Sequence, residues 1–567
     1  MNDIRRTILW VIFGFSLVLI WDKWQLHNGK PATFFPGPAP VATASAPAEP
    51  GAGASAVPVS GASAPVAVPP AGAAAVPAAP ADVAPAPRER VQVSTDVLRL
   101  TFDSEGGSLT HAELLQHADL VDGSKKFMLL DDSSQRVYVA QTGLIGGSFP
   151  THKTAMAVAP GARELKDGEN ELSVRFESPD LGGVKLVKTW TLKRGAYDIA
   201  VRHEVVNTGT APVAPKLYLQ LVRDGNKPPG ESSFYSTFTG PAVFTQDKKY
   251  QKVEFKDIEA NKADFAKESS NGYVAMVQHY FATAWLLPEG AQREIFMRKV
   301  DANLYSVGMI TALDSIAPGA SKALDARLFA GPQVETMMEK LAPGLELVKD
   351  YGWLTILSKP LYWLLDQLHK LLNNWGWSIV ALVLLLKVAF YWLNAKAYAS
   401  MAKMKAVNPK IMEMRERLKD KPQQMQQEMM RIYREEKVNP MGGCFPIMIQ
   451  IPVFIALYWV LLSSVEMRNA PWIGWVHDLS APDPFFILPV LMTLSTLLQT
   501  ALNPAPPDPM QAKMMWIMPL MFSVMFFFFP AGLVLYWLTN NILSIAQQWI
   551  INTRMGVPPQ FNLPKFK

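Results

Sequence analysis

A chain of 567 residues is too long for a single compact core, so it must divide into at least two bodies. The single cysteine, Cys444, excludes an intrachain disulfide framework and any CxxC or Cys/His metal cluster, and makes redox chemistry a poor fit. The net charge of +5 is small for this length, so the placement of Lys and Arg carries more information than their number.

The mean hydropathy of +0.08 averages two unlike halves, polar and β-like before Tyr351 and dominated by apolar runs after it. Residues 1–25 open with Arg5 and Arg6 and an apolar run, Ile8 to Trp21, that leads into Trp21-Asp22-Lys23-Trp24-Gln25. A small-x-small cleavage site is absent and an interfacial aromatic pair is present, which favours an uncleaved anchor with a cytoplasmic N-terminus over a signal peptide. Residues 26–87 are nearly all Ala, Pro, Val, Gly and Ser and read as an extended tether. In residues 88–348 the pattern changes to alternating segments such as Leu172–Phe176 and Tyr197–Val201, separated by turns such as Lys193-Arg194-Gly195. This predicts a β-sandwich outside the cytoplasmic membrane. Residues 349–375 place Ile356, Leu357, Leu361, Leu364, Leu368 and Leu371 against Lys359, Asp366, Gln367 and Lys370, with Trp at both ends. They predict a helix lying in the outer membrane interface; the alternative is a plain amphipathic helix packed on the β-domain.

Apolar stretches then predict transmembrane spans at 376–396, 442–464, 485–502, 514–530 and 531–551, six with the anchor. Between them lie a cytoplasmic segment 397–441, an outer loop 465–484, an inner loop 503–513 and an inner tail 552–567. The lysines and arginines from Lys396 to Lys437 fall inside, as do Arg554, Lys565 and Lys567, whereas Arg468 is the only one in the outer loop. The positive-inside rule therefore supports cytoplasmic termini. In 397–441 two helices, about Tyr398 to Leu418 and Gln423 to Lys437, flank Asp420-Lys421-Pro422 and predict an antiparallel hairpin. Its methionines, among them Met401, Met404, Met414, Met425 and Met429, suit adaptable apolar contact with a partner; the alternative is that they only pack the hairpin itself.

Lys387 stands in the middle of the second predicted span, where a cation costs at least ~2.5 kcal/mol without water or a partner. Counted to Lys396, the inner end is about nine residues, or roughly 13 Å, away, beyond easy snorkelling. Gln450, Gln499, Thr539, Asn540, Asn541 and Gln547 also fall toward the cytoplasmic ends of their spans, and the outer halves contain little comparable. This asymmetry predicts a hydrophilic groove that opens to the cytoplasm and stops partway, and it argues against a through-pore. No phosphate-binding GxxxxGK[ST] loop or HExxH metal motif occurs, so neither nucleotide use, hydrolysis nor a cofactor is expected.

Val438-Asn439-Pro440-Met441-Gly442-Gly443-Cys444-Phe445-Pro446, continuing through Ile449-Gln450-Ile451-Pro452 to Tyr458, closely resembles the third-span signature of YidC insertases. Asp483-Pro484-Phe485 to Pro489, Asp508-Pro509-Met510-Gln511 and Phe529-Pro530-Ala531-Gly532 to Trp537 are similar to the later signatures of that family. The resemblance implies a five-helix membrane core, a mobile cytoplasmic hairpin and, in Gram-negative inner membranes, a periplasmic β-supersandwich. It also implies a non-enzymatic insertase and chaperone for nascent membrane proteins that works alone or with the Sec translocon, near the ribosome and the signal recognition pathway, in contact with the lipid bilayer and with no specific nucleic acid sequence. By position it puts the groove cation, usually Arg, on Lys387, a groove glutamine on Gln499 and an aromatic pair on Tyr536 and Trp537. Helix position makes Ile451, Phe454, Met518 and Phe522 candidates for an apolar slide. Two other readings compete: a glycan-binding envelope protein, which would not need a charge and amides in its spans, and a small-solute transporter, which would show an inverted repeat.

Overall fold

In a computed structural model the described residues are 88–230, 237–418, 421–436, 445–503, 509–556 and 561. The expected anchor and tether lie outside them, as do the turn residue Asp420 and the signature residues 438–444. The described chain forms two compact units, residues 88–331 with 341–345, and residues 332–340 with those from 346 onward.

The first unit is made of β1 (Arg90–Ser94), β2 (Leu98–Asp103), β3 (Ser108–Ala118), β4 (Lys126–Asp132), β5 (Val137–Ile145), β6 (Ala157–Val158), β7 (Glu171–Glu177), β8 (Val184–Lys193), β9 (Asp198–Asn207), β10 (Lys216–Asp224), β11 (Gly240–Thr245), β12 (Lys249–Lys252), β13 (Glu268–Ser269), β14 (Tyr273–Val277), β15 (Phe281–Leu286), β16 (Arg293–Asp301), β17 (Leu304–Ala312) and β18 (Ser321–Pro332), with a short helix α1 (Phe255–Glu259). They build two nine-stranded antiparallel sheets, in the orders β1-β2-β3-β4-β5-β10-β17-β16-β13 and β12-β11-β14-β15-β18-β9-β8-β7-β6. Alternation places Leu172, Val174 and Phe176 of β7 inside and Glu171, Ser173 and Arg175 outside. At the turn after β8, Gly195 takes φ +68°, a conformation that glycine adopts without strain, and its N–H donates to Asp96.

The sheets are joined across the sandwich by aromatic packing and by buried polar groups. Trp190 lies 5.0 Å from Phe102 and 6.2 Å from Trp285, whose Nε1 donates to the Gln220 carbonyl at 3.1 Å. Lys188 of β8 is fully buried, and its ammonium donates to the Gly106 carbonyl at 2.5 Å and the Thr142 carbonyl at 2.7 Å. His203, also fully buried, hydrogen-bonds the Thr142 hydroxyl at 3.0 Å. Burial pushes Lys188 down from 10.5 to about 7, and burial together with Lys188 pushes His203 down to about 3.

The second unit contains α2 (Glu335–Leu341), most of which belongs to it, followed by α3 (Thr355–Leu372), α4 (Trp375–Ala389), α5 (Tyr391–Arg417), α6 (Pro422–Glu435), α7 (Phe445–Ser463), α8 (Ile487–Leu502), α9 (Pro509–Met525) and α10 (Ala531–Arg554). The core gathers around α10, which packs on α4, α5, α7 and α8, while α3 packs on α4 and α7, and α9 on α8. Asn373 ends α3 in the left-handed conformation, and the Asn374 side chain caps α4 by accepting from the Trp377 N–H at 3.0 Å. On α3, Leu361, Tyr362 and Leu365 are buried, but Ile356 and Trp363 are exposed, so apolar groups occupy more of its circumference than one stripe. Between α5 and α6, Val407, Ile411 and Met414 are buried against Met404, Met425 and Met429, whereas Met412 and Met430 are exposed.

One sequence expectation, the start of the helix near Tyr398, is redrawn. No single described helix is long and apolar enough to cross a membrane alone; α4 and α5 pass that test only as a pair, bent by 68°. The break falls at Phe390, so the helix expected to begin near Tyr398 begins at Tyr391. No Pro or Gly lies at the break, and both limbs pack on α10, so tertiary contacts set the bend. Lys387 stands two residues before the end of α4 at Ala389.

A buried ion network ties the start of this unit together. Lys349, with no exposed side-chain area, lies 3.3 Å from Glu466 and 3.8 Å from the Tyr362 ring centre. Tyr362 donates to Glu466 at 2.6 Å, Tyr351 donates to Glu335 at 2.7 Å, and Lys359 is 3.4 Å from Glu346. Breaking such a pair leaves a buried charge uncompensated.

Two outcomes are expected. For Lys188 the folded value lies below the unfolded one, so between pH 7 and 10.5 the unfolded chain binds more protons and stability rises with pH. Thermal unfolding of the full chain in detergent, followed by near-UV circular dichroism, should show that rise for the β unit, and Lys188→Met should flatten it; a slope that survives the substitution would assign it to another group. Lys349→Ala should destabilise the helical unit by about 3 kcal/mol in equilibrium unfolding, whereas Lys349→Ala combined with Glu466→Ala should cost less than the single change.

Candidate functional site

The helical unit contains one cavity of particular chemistry, with about 450 Å³ of non-atom space including its mouth. It is lined by Val383, Leu386, Lys387 and Phe390 from α4 and the bend, Leu393 and Asn394 from α5, Gln450 and Val453 from α7, and Tyr536 and Asn540 from α10. Apolar groups form most of its wall. The polar exceptions are one ammonium, three amides and a phenol, and no carboxylate is among the lining residues.

The spacing of α10 explains how these groups meet. Asn540, Ser544 and Gln547 fall at i, i+4 and i+7, one face of a helix. Asn540 Oδ1 accepts from Gln450 Nε2 at 2.9 Å, Ser544 Oγ accepts from Lys387 Nζ at 2.6 Å, and Gln547 Oε1 accepts from Asn394 Nδ2 at 3.4 Å. A single polar stripe thus meets α7, α4 and α5 in succession. Asn541 and Gln548, one residue further round, face α8 instead: Asn541 Nδ2 donates to Thr496 at 2.9 Å and Ser495 at 3.3 Å, and Gln548 donates to Asn503 at 3.2 Å.

The structure therefore brings together Lys387, Gln450, Asn540 and Tyr536, and separates the other candidates from them. Gln499, half-buried on α8, does not line the cavity. Tyr536 and Trp537 are about 100° apart on the helix, and only Tyr536 faces the cavity. Trp537 packs edge-on to Phe454 at 4.4 Å and lies 5.0 Å from Phe526. Of the proposed slide, Ile451, Met518 and Phe522 are exposed, while Phe454 is partly buried beneath Tyr536 and Trp537. Ser544 and Asn394 were absent from the sequence candidates. A lone serine in an apolar helix is ordinarily satisfied by the carbonyl four residues back, and Ser544 does donate to Asn540 O at 2.7 Å; the usable signal was its spacing from Asn540 and Gln547.

Chemically, the arrangement offers hydrogen-bond donors and one positive charge in a mostly apolar wall. The lining residues provide no nucleophile with an adjacent base, and no cluster of potential metal ligands exists among the described residues. Such a site can host a polar or anionic group.

Comparison with known proteins covers nearly the whole chain. Residues 90–364 match the family model described as the YidC periplasmic domain, and residues 367–557 match that of the 60Kd inner membrane protein. The membrane protein insertase YidC of Cupriavidus taiwanensis is 56% identical over 561 residues, covering 98% of each chain. That of Janthinobacterium sp. is 50% identical over 568 residues, covering 98% of this chain and 100% of its own, and that of Bordetella pertussis is 55% identical over 558 residues, covering 98% of each. Among solved structures, an active YidC insertase with its first transmembrane domain resolved is 21% identical with a TM-score of 0.38, covering 81% of this chain and 91% of its own. A galactose mutarotase related enzyme from Lactobacillus acidophilus is 8% identical with a TM-score of 0.29, covering 43% and 97%.

The Gln450–Asn540 contact gives a direct check on the site's geometry. In a double-mutant cycle with Gln450→Ala and Asn540→Ala, unfolding in mixed micelles should return a coupling of about 0.6 kcal/mol, the usual size for a hydrogen bond between membrane helices. Strict additivity would mean the two amides do not meet.

Proposed function

The chain belongs to the YidC family of membrane protein insertases, and from that premise we propose that its cavity receives the polar part of a nascent membrane protein while the apolar part moves into lipid. The observation that carries this reading is the set of Lys387, Gln450, Asn540 and Tyr536 in one mostly apolar hollow with no neutralising carboxylate.

In this reading the chain has six spans, with both termini in the cytoplasm and the β-sandwich in the periplasm. α5 and α6 form the cytoplasmic hairpin that first captures an apolar segment near the ribosome, and exposed Met412 and Met430 are its adaptable contacts. The groove opens to the cytoplasm. Lys387 and the amides shorten the low-dielectric distance that an acidic or polar tail must cross, and Lys387 acts through charge, as a host and not a catalyst. The apolar segment leaves along Ile451, Phe454, Met518 and Phe522. Burial of its surface supplies about 25 cal/mol per Å², and the membrane potential adds ~2.3 kcal/mol per charge per 100 mV, so no nucleotide is required. The chain works alone or with the Sec translocon.

The test is insertion of a short single-span substrate into proteoliposomes that contain only this protein and no nucleotide. Wild type and Lys387→Arg should insert it, Lys387→Ala should insert several-fold less, and Lys387→Glu least. Normal insertion by Ala and Glu would remove Lys387 from the mechanism.

A further inference from the structure

A cation near a helix bend has two places to go. Lys387 is half-buried three residues before the break at Phe390, and a lysine side chain reaches ~6 Å, so its ammonium has room to turn into the cavity or out of it. Lysine carries a mobile point charge on a flexible stem, so its position depends on what it bonds.

In this structure it bonds Ser544. That residue is buried, with 3% of its surface exposed, and its hydroxyl has one proton and two acceptor positions. The proton goes to the Asn540 carbonyl at 2.7 Å, which turns the lone pairs away from α10. One accepts from Lys387 at 2.6 Å. The hydroxyl's orientation is thus set by α10 itself, and its acceptor side is presented to the Lys387 ammonium. The adjacent Gln450–Asn540 bond fixes the turn of α10 that Ser544 leans on.

We propose that Ser544 is a positioning residue for insertion: it holds the flexible Lys387 ammonium at the cavity, so that the charge is present where a polar tail enters. The inference rests on the reading of Lys387 given above. A guanidinium, with five donors in a planar fork, can find the Gln450, Asn540 and Asn394 amide oxygens without a particular hydroxyl and is less dependent on Ser544.

The experiment uses the full chain in proteoliposomes with a single-span substrate bearing an acidic tail, and compares Ser544→Ala and Ser544→Thr in the Lys387 and Lys387→Arg backgrounds, with Lys387→Ala alongside. Ser544→Ala should lower the insertion rate on the order of tenfold, in line with loss of a hydrogen bond to a charged group. Ser544→Thr, which keeps the hydroxyl, should restore most of the rate. In the Lys387→Arg background the Ser544→Ala loss should shrink to under about twofold, and a substrate with an uncharged tail should be affected least. An equal loss in both backgrounds and for both tails would show general damage to packing and overturn the proposal. So would wild-type insertion by Ser544→Ala when Lys387→Ala is impaired, which would leave the groove reading standing. If Lys387→Ala itself inserts normally, the groove reading fails and this inference fails with it.

Discussion

The helical unit is organised by the cost of leaving a polar group unmatched in an apolar surrounding. An amide or hydroxyl on a buried helix face must find a partner, and the face of α10 that carries Asn540, Ser544 and Gln547 finds one on three different helices. That requirement fixes the rotation of α10 and the approach of α7, and it ties both limbs of the bent α4–α5 pair to one stripe. The cavity is what remains between them. Its polarity follows from the same contacts, since the groups that hold the helices together also line the space.

A different solution to the same cost holds the β-sandwich. There the buried lysine is satisfied by two backbone carbonyls, one from β5 of the opposite sheet and one from its β2–β3 turn, so Lys188 serves as a cross-strut and needs no acidic partner. The Lys349 network uses full ion pairing, with tyrosine hydroxyls completing the carboxylates. The buried lysines 188 and 349 and the half-buried Lys387 therefore meet three kinds of acceptor: carbonyl, carboxylate and hydroxyl. Only the last leaves the charge in a space that another molecule can enter.

Much of this was legible in the sequence, and the part that was not has a common cause. Strand alternation in β7 and β9, the apolar runs of α7, α8 and α10, and the family signatures from Phe445 onward are local patterns, and one sequence suffices to read them. The pairing of Lys387 with Ser544 is not local: the two residues are 157 positions apart, and a serine in an apolar helix gives no sign of which way its lone pairs face. Depth along each span correctly grouped Gln450 with Asn540 but could not separate Tyr536 from Trp537, because depth ignores rotation. The bend at Phe390 carried no proline or glycine to announce it, and the start of α5 was placed near Tyr398 instead of Tyr391 for that reason.

The same separation has a meaning in time. Chains are made from the N-terminus at about 5–20 residues per second, so the 157 residues between Lys387 and Ser544 take roughly 8–30 s to appear. For that interval the lysine has been synthesised and its hydroxyl has not. Glu466 likewise arrives 117 residues after Lys349. An insertase of this design is, during its own biogenesis, a polypeptide with stranded charges in its apolar region, and it belongs to the class of clients that its finished form would serve.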